Sequence, residues 1–336
     1  MADTHHPDKG PSLRELAPGD LFVGFYTLRS KQLEPFRDAS RGNFLTLILS
    51  DGSGQILARV WEGAEQAYEE LESGQVVKLQ GEVETYLDRL QVRVNQVRPA
   101  KPDEYDRRDM LPSSPRPRDE MLAALRTYIE QVEQTNLRAL VDFFFGDQDF
   151  LNDFAQAPAA RRVHHAYLGG LIEHTLELLK IAGTVIEIYP QINSDLLRTG
   201  VLFHDLGKVR EFVWDLDIDY SDEGRLFGHI VMADEMVTAA IKQQPEFPPE
   251  LAMQLRHMLL SHHGRYEWGS PRRPKTLEAV ALHHLENLSA QINRFHLLLQ
   301  DAAPNAHWTS YDRMLKRQLY AGSDDDLNVE ERGLTE

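Results

Sequence analysis

The chain has 336 residues, 42% of them hydrophobic and 26% charged, enough for about two globular domains with a sizeable core. It holds no cysteine, which excludes disulfides, thiolate metal sites and cysteine nucleophiles. A formal charge of −17 excludes binding of nucleic acid through a broad basic coat, but leaves room for a local site whose positive charge comes partly from a metal.

Residues 1–12 show no basic and apolar signal pattern, and no apolar run approaches the roughly 20 residues that cross a bilayer. The expectation is a cytoplasmic protein without membrane contact, opening on a disordered stretch over residues 1–12. Residues 13–100 read as β structure. Strands are predicted at Leu21 to Leu28, Phe44 to Leu49 and Ile56 to Trp61, the last two joined by the turn Asp51-Gly52-Ser53-Gly54. A short helix, Ala64 to Leu71, precedes strands Val76 to Tyr86 and Leu90 to Val97. Five strands with a helix between the third and fourth is the order of an OB-type barrel.

Residues 101–118 combine four prolines with many charges and predict an extended linker. Beyond it, residues 119–318 carry helical periodicity over Met121 to Phe145, Val163 to Tyr189, Ser194 to Phe212, Ile230 to Lys242, Pro249 to His263 and Leu277 to Leu299. Residues 319–336 form an acidic tail. The fold class is therefore α+β, a five-stranded barrel followed by an all-helical domain.

The histidines fall on the apolar stripes of these helices. Leu197, Val201, His204, Asp205 and Lys208 share one stripe, with an imidazole, a carboxylate and an ammonium where aliphatics would continue a core. His174 lies between Leu171 and Leu178, His229 follows Gly228, His262 and His263 precede Gly264, and Glu286 lies among Leu282, Ser289 and Ala290. A single inward histidine is usually a satisfied core residue. Five segments doing the same point to a shared cation, since so many buried imidazoles otherwise need partners.

His174, His204-Asp205-Leu206-Gly207-Lys208, His229 and His262-His263 resemble the HD superfamily of phosphohydrolases, including its two-metal form. HHAYLGGLIEHT (His164 to Thr175), SHHG (Ser261 to Gly264) and ALHHLENLSAQ (Ala281 to Gln291), preceded by RGNFLTLILSDGSGQILARVWE (Arg41 to Glu62), are more narrowly similar to the YhaM-type 3'-5' exoribonucleases, over residues from about 14 to 315. The resemblance implies a metal held by His174, His204, Asp205 and Glu286, and a second at His229, His262 and His263 with Asp205 bridging. Glu286 stands where relatives carry Asp, and Ser289 where they often carry a second acid. One or two divalent transition ions are expected, Mn(II) first, with Fe(II), Co(II) and Ni(II) as alternatives.

Asp205, Lys208 and His229 are the expected catalytic groups, Lys208 neutralising a phosphate oxygen unless it is a surface residue at a helix end. Arg162, His164 and His165 are expected to contact a phosphate or else simply to begin a helix, and Arg265 with Tyr266 to line the substrate mouth. On the barrel, Arg59, Trp61, Tyr86 and Arg93 are candidates for an RNA groove, with Trp61 and Tyr86 completing the core as the alternative. The function implied is 3'-5' exonucleolysis of single-stranded RNA, with single-stranded DNA as a second substrate and a homo-oligomer as an admissible state. A nucleotidase or cyclic-nucleotide phosphodiesterase with a regulatory barrel, and a non-catalytic single-strand binder, are the competing functions.

Overall fold

The computed structural model describes residues 9–36, 38–87, 89–161, 165–300, 302–303 and 306–322. They divide into two units. One runs to Pro115 and also takes in Phe212–Tyr220; the other comprises Arg116–Glu211 and the chain from Ser221.

The first unit is a closed five-stranded barrel of order β1-β2-β3-β5-β4, from β1 (Leu21–Pro35), β2 (Asn43–Asp51), β3 (Gly54–Val60), β4 (Val76–Tyr86) and β5 (Arg89–Pro99). β3 and β5 pair in parallel and every other pair is antiparallel, the OB topology. Alternation does the work: Leu45, Leu47 and Leu49 of β2 and Val92 and Val94 of β5 fill the interior with Tyr26 and Leu28. Helix α1 (Ala64–Glu70) sits between β3 and β4. β1 is longer than predicted, because past Leu28 its polar residues Ser30, Lys31 and Gln32 still pair with β2.

Two local expectations fail. Of residues 1–12, residues 1–8 lie outside the described residues, but residues 9–12 are ordered on the barrel, where the Lys9 ammonium meets Asp51 at 2.6 Å and the Tyr26 hydroxyl donates to the Pro11 carbonyl at 2.8 Å. The stretch 101–115 is packed rather than extended. Tyr105 and Met110 are buried with Phe25 and Val76, and a Cβ on Gly52 would lie 2.5 Å from the Leu111 carbonyl. Proline bars regular structure, but scattered apolar side chains can still find an apolar surface.

The second unit is helical: α2 (Arg118–Glu130), α3 (Thr135–Phe145), α4 (Gln148–Gln156), α5 (Gly170–Ile188), α6 (Ser194–Phe203), α7 (Lys208–Glu211), α8 (Asp222–Lys242), α9 (Pro249–Ser261) and α10 (Leu277–Gln300). The predicted helix 121–145 breaks in two, because the Asp195 carboxylate accepts from the Glu133 and Gln134 amides while the Gln134 side chain caps α3. α6 also ends earlier than its periodicity suggests, and the chain turns through residues 204–207 before α7. After α7 the predicted helix gives way to a hairpin, β6 (Phe212–Trp214) and β7 (Ile218–Tyr220), which belongs to the barrel unit. Helices α5, α6, α9 and α10 pack on one another around buried Leu171, Leu178, Val201, Leu259 and Leu282. Among the described residues no helix is long and apolar enough to cross a membrane.

Candidate functional site

The ends of helices aim the histidines. His204 and His262 are the C-terminal caps of α6 and α9, and each donates from Nδ1 to the carbonyl three residues back, Val201 and Leu259, at 2.8 Å. His263 donates from Nδ1 to the Trp268 carbonyl at 2.8 Å. His229 lies just past a kink in α8 at Gly228, whose φ of 73° suits glycine, and both its amide and its Nδ1 donate to Glu211 Oε1, at 2.9 and 3.0 Å. A carbonyl can only accept, so Nδ1 carries the proton and Nε2 presents its lone pair, the tautomer of a metal ligand.

Those lone pairs converge on two donor sets. In the first, His174 Nε2 lies 2.8 Å from Glu286 Oε2 and 3.4 Å from His204 Nε2, which is 3.2 Å from Asp205 Oδ2 and 3.6 Å from Glu286 Oε2. In the second, His229, His262 and His263 cluster, with Asp205 Oδ1 3.5 Å from His229 Nε2 and 3.9 Å from His262 Nε2. Asp205 thus turns one oxygen to each set. The Nε2 atoms of His229 and His262 are buried without a hydrogen-bond partner among the described residues. An ion bonding nitrogen and oxygen at about 2.0–2.2 Å holds neighbouring donors roughly 3 Å apart, so the spacing fits a bound cation better than mutual hydrogen bonds.

Burial opposes every charge here, and at Asp205, Glu286 and His204 the neighbours outweigh it. Lys208 and His204 hold the Asp205 carboxyl well below the usual carboxylate range, and His174 and His204 do the same for Glu286. Against its own burial, His204 is pushed up to about 10 by Asp205 and Glu286, so a proton on Nε2 competes there with a bound cation. His262 is pushed well down by burial, then by His263 and His204. The acids are therefore ionised and acceptor-only, as ligands must be.

Lys208 opens α7, buried, with Nζ 2.6 Å from Asp205 Oδ2. The reading of Lys208 as a surface residue at a helix end fails. His165 does not begin a helix either: it precedes α5 with φ 54°, its ring nitrogens on the Tyr167 hydroxyl at 2.7 Å and Glu177 Oε2 at 3.2 Å. Arg162 and His164 lie outside the described residues. Arg265 is exposed and packs on Trp268.

On the barrel, Trp61 and Tyr86 are not core residues. Trp61 stacks with Phe36 and Phe44 at 5.8 and 5.1 Å, and the Arg59 guanidinium lies about 5.5 Å from the rings of Phe44, Trp61 and Tyr86. Arg93 is the exception in this group, since Glu82 and Glu84 already neutralise it. Sequence reading missed Phe36, Phe44 and Arg41, which joins the cluster over Phe36; their signal was the run of aromatic and basic residues flanking the first hairpin. It also missed Glu211, and His283, whose Nδ1 donates to the His262 carbonyl at 2.9 Å.

Gly207 shows how tightly the turn after His204 is held. A Cβ there would lie 2.2 Å from the His229 carbonyl oxygen and 2.9 Å from the Ala233 nitrogen, both backbone. Gly207→Ala is expected to cost about 1–3 kcal/mol of stability in the helical unit, the scale of an overpacked core. Thermal unfolding checks it; an unchanged midpoint would contradict the close approach.

An OB barrel followed by this helical unit defines an HD-domain phosphohydrolase with a nucleic-acid-binding module: residues 171–291 match the HD domain family and residues 27–100 the OB-fold nucleic acid binding domain family. Proteins named 3'-5' exoribonuclease YhaM are similar over most of the chain. Those of Bacillus licheniformis and Bacillus subtilis are each 35% identical over 84% of this chain and 90% of their own, and that of Shouchella clausii is 36% identical over 78% and 81%. The chain belongs to the YhaM 3'-5' exoribonuclease family.

Proposed function

We propose that this chain is a metal-dependent 3'-5' exoribonuclease of the cytoplasm that hydrolyses single-stranded RNA, with single-stranded DNA as a second substrate. The observation that carries the chemistry is Asp205, with Oδ2 toward His174 and His204, which cluster with Glu286, and Oδ1 toward His229 and His262, which cluster with His263. These sets would hold two divalent ions, for which imidazole and carboxylate without thiolate favour Mn(II), ahead of Fe(II), Co(II) and Ni(II). Bound there, such ions acidify a water and neutralise charge on the phosphodiester, so no protein nucleophile is required.

The chain's own groups prepare that chemistry. Lys208 holds Asp205 in place and offers an ammonium beside the reacting phosphate. Glu211 fixes the tautomer of His229, as the carbonyls of Val201, Leu259 and Trp268 fix those of His204, His262 and His263. Glu286, one methylene longer than the acid of relatives, reaches His174 at 2.8 Å and serves in its place. On the barrel, Phe36, Phe44, Trp61 and Tyr86 offer faces for bases, with Arg41 and Arg59 for the backbone.

RNA labelled at its 5' end tests the reading. The Mn(II)-loaded chain is expected to produce a ladder shortening from the 3' end; a single internal cut or no cut sinks it. In the same assay Trp61→Ala is expected to raise KM for a long strand about tenfold, the scale of one lost stack. Unchanged KM would remove the barrel from strand capture.

A further inference from the structure

The segment after the histidine pair, Gly264 to Lys275, departs from the rest of this acidic chain. Within twelve residues it carries Arg265, Arg272, Arg273 and Lys275 against the single acid Glu267. Two aromatic residues in it are left open to solvent, Tyr266 at 54% and Trp268 at 45% exposure. Each carries a guanidinium: Arg265 lies 4.8 Å from the Trp268 ring centre and Arg273 5.1 Å from that of Tyr266. An arginine packed against a ring restrains it while the exposed remainder stays available to another flat group.

The segment is built into the metal-ligand framework. The Trp268 carbonyl takes the Nδ1 proton of His263, and the Trp268 ring lies 6.2 Å from that of His283, which bonds the His262 carbonyl. Backbone bonds from Ser270 to Arg265 and from Arg272 to Leu260, both 3.1 Å, tie down its two arms. Gly264 permits the turn: its φ is 74°, and a Cβ would meet the His283 ring at 2.2 Å. Exposed aromatics beside cations that have no ion pair among the described residues, directly after the His262–His263 pair, match a strand whose bases stack and whose phosphates need countercharge.

We infer that Tyr266 and Trp268, with Arg265 and Arg273, form a subsite in the helical unit that stacks the 3'-terminal bases of the RNA strand as its last phosphodiester meets the metal centre. The inference rests on the exoribonuclease reading. Because the rings grip any base by its face, the subsite selects single strands without selecting sequence.

A chemical double-mutant cycle tests it with the Mn(II)-loaded full chain. The substrates are a short RNA oligomer and the same oligomer lacking bases at its 3'-terminal positions. Tyr266→Ala and Trp268→Ala are expected to raise KM for the complete oligomer roughly tenfold each, while Tyr266→Phe and Trp268→Phe stay near the parent. On the base-free oligomer the alanine variants should add nothing to the loss already seen with the parent chain. An unchanged KM on the complete oligomer overturns the inference, as does an equal rise on both substrates, which would mean that the rings act through folding or through phosphates. If the parent chain cuts neither oligomer, the exoribonuclease reading itself has failed, and that is seen before any variant is made.

Discussion

Asp205→Asn is expected to remove about three orders of magnitude from kcat on RNA, with strand binding by the barrel retained. The substitution keeps the side chain's shape but replaces an oxygen by an NH2 that can only donate. Asp205 faces His174 and His204 through Oδ2 at 3.8 and 3.2 Å, and His229 and His262 through Oδ1 at 3.5 and 3.9 Å. An amide cannot serve both donor sets, so it would uncouple them. It would also deprive the buried Lys208 ammonium of the negative charge that lies 2.6 Å away. Losing a group that organises transition-state charge costs about 10²–10³ in rate, and loss of an ion adds to that. Gel-shift binding and circular dichroism separate the rate effect from unfolding. A folded Asp205→Asn protein within tenfold of the parent under saturating Mn(II) would show that Asp205 does not join the two sets.

Much of this cluster was legible because its candidate ligands sit at helical periodicity. His174, His204, Asp205 and Glu286 each replace an aliphatic on an inward stripe, and stripes survive small errors in helix boundaries. The stripe of α6 picked out residues that the structure does bury together although the helix stops at Phe203, because a tight turn through Gly207 carries Asp205 and Lys208 inward all the same. The groups behind the ligands were not legible. Glu211 reaches His229 only because α8 kinks at Gly228, and His283 reaches the His262 carbonyl from another helix. Neither contact has a sequence period. The hairpin Phe212–Tyr220 was not predicted, and the helix was carried into its first residue, since three-residue strands are too short to show alternation. Its membership of the barrel unit depends on long-range contacts such as Arg29 with Asp217.

Removing the metal is expected to abolish RNA hydrolysis and to lower the unfolding midpoint of the helical unit while leaving that of the barrel unchanged. All of the donors lie in the helical unit: none of His174, His204, Asp205, His229, His262, His263 and Glu286 belongs to the barrel. Without cations, four imidazoles with Nδ1 anchored crowd their Nε2 atoms around two ionised acids, and buried lone pairs at His229 and His262 lack donors. That arrangement is costly in the folded state and absent from the unfolded one. An ion that binds only the folded form stabilises it by about 2.7 kcal/mol when present at a hundred times its Kd. Glu286→Ala should reproduce part of this effect in the presence of metal, through weaker binding at the His174 side, whereas Glu286→Asp keeps a carboxylate and should stay within about tenfold of parent activity. Differential scanning calorimetry with and without Mn(II), paired with elemental analysis, reads both quantities. Full hydrolysis by protein with no detectable transition metal would refute the centre, and wild-type metal affinity in Glu286→Ala would remove Glu286 from it.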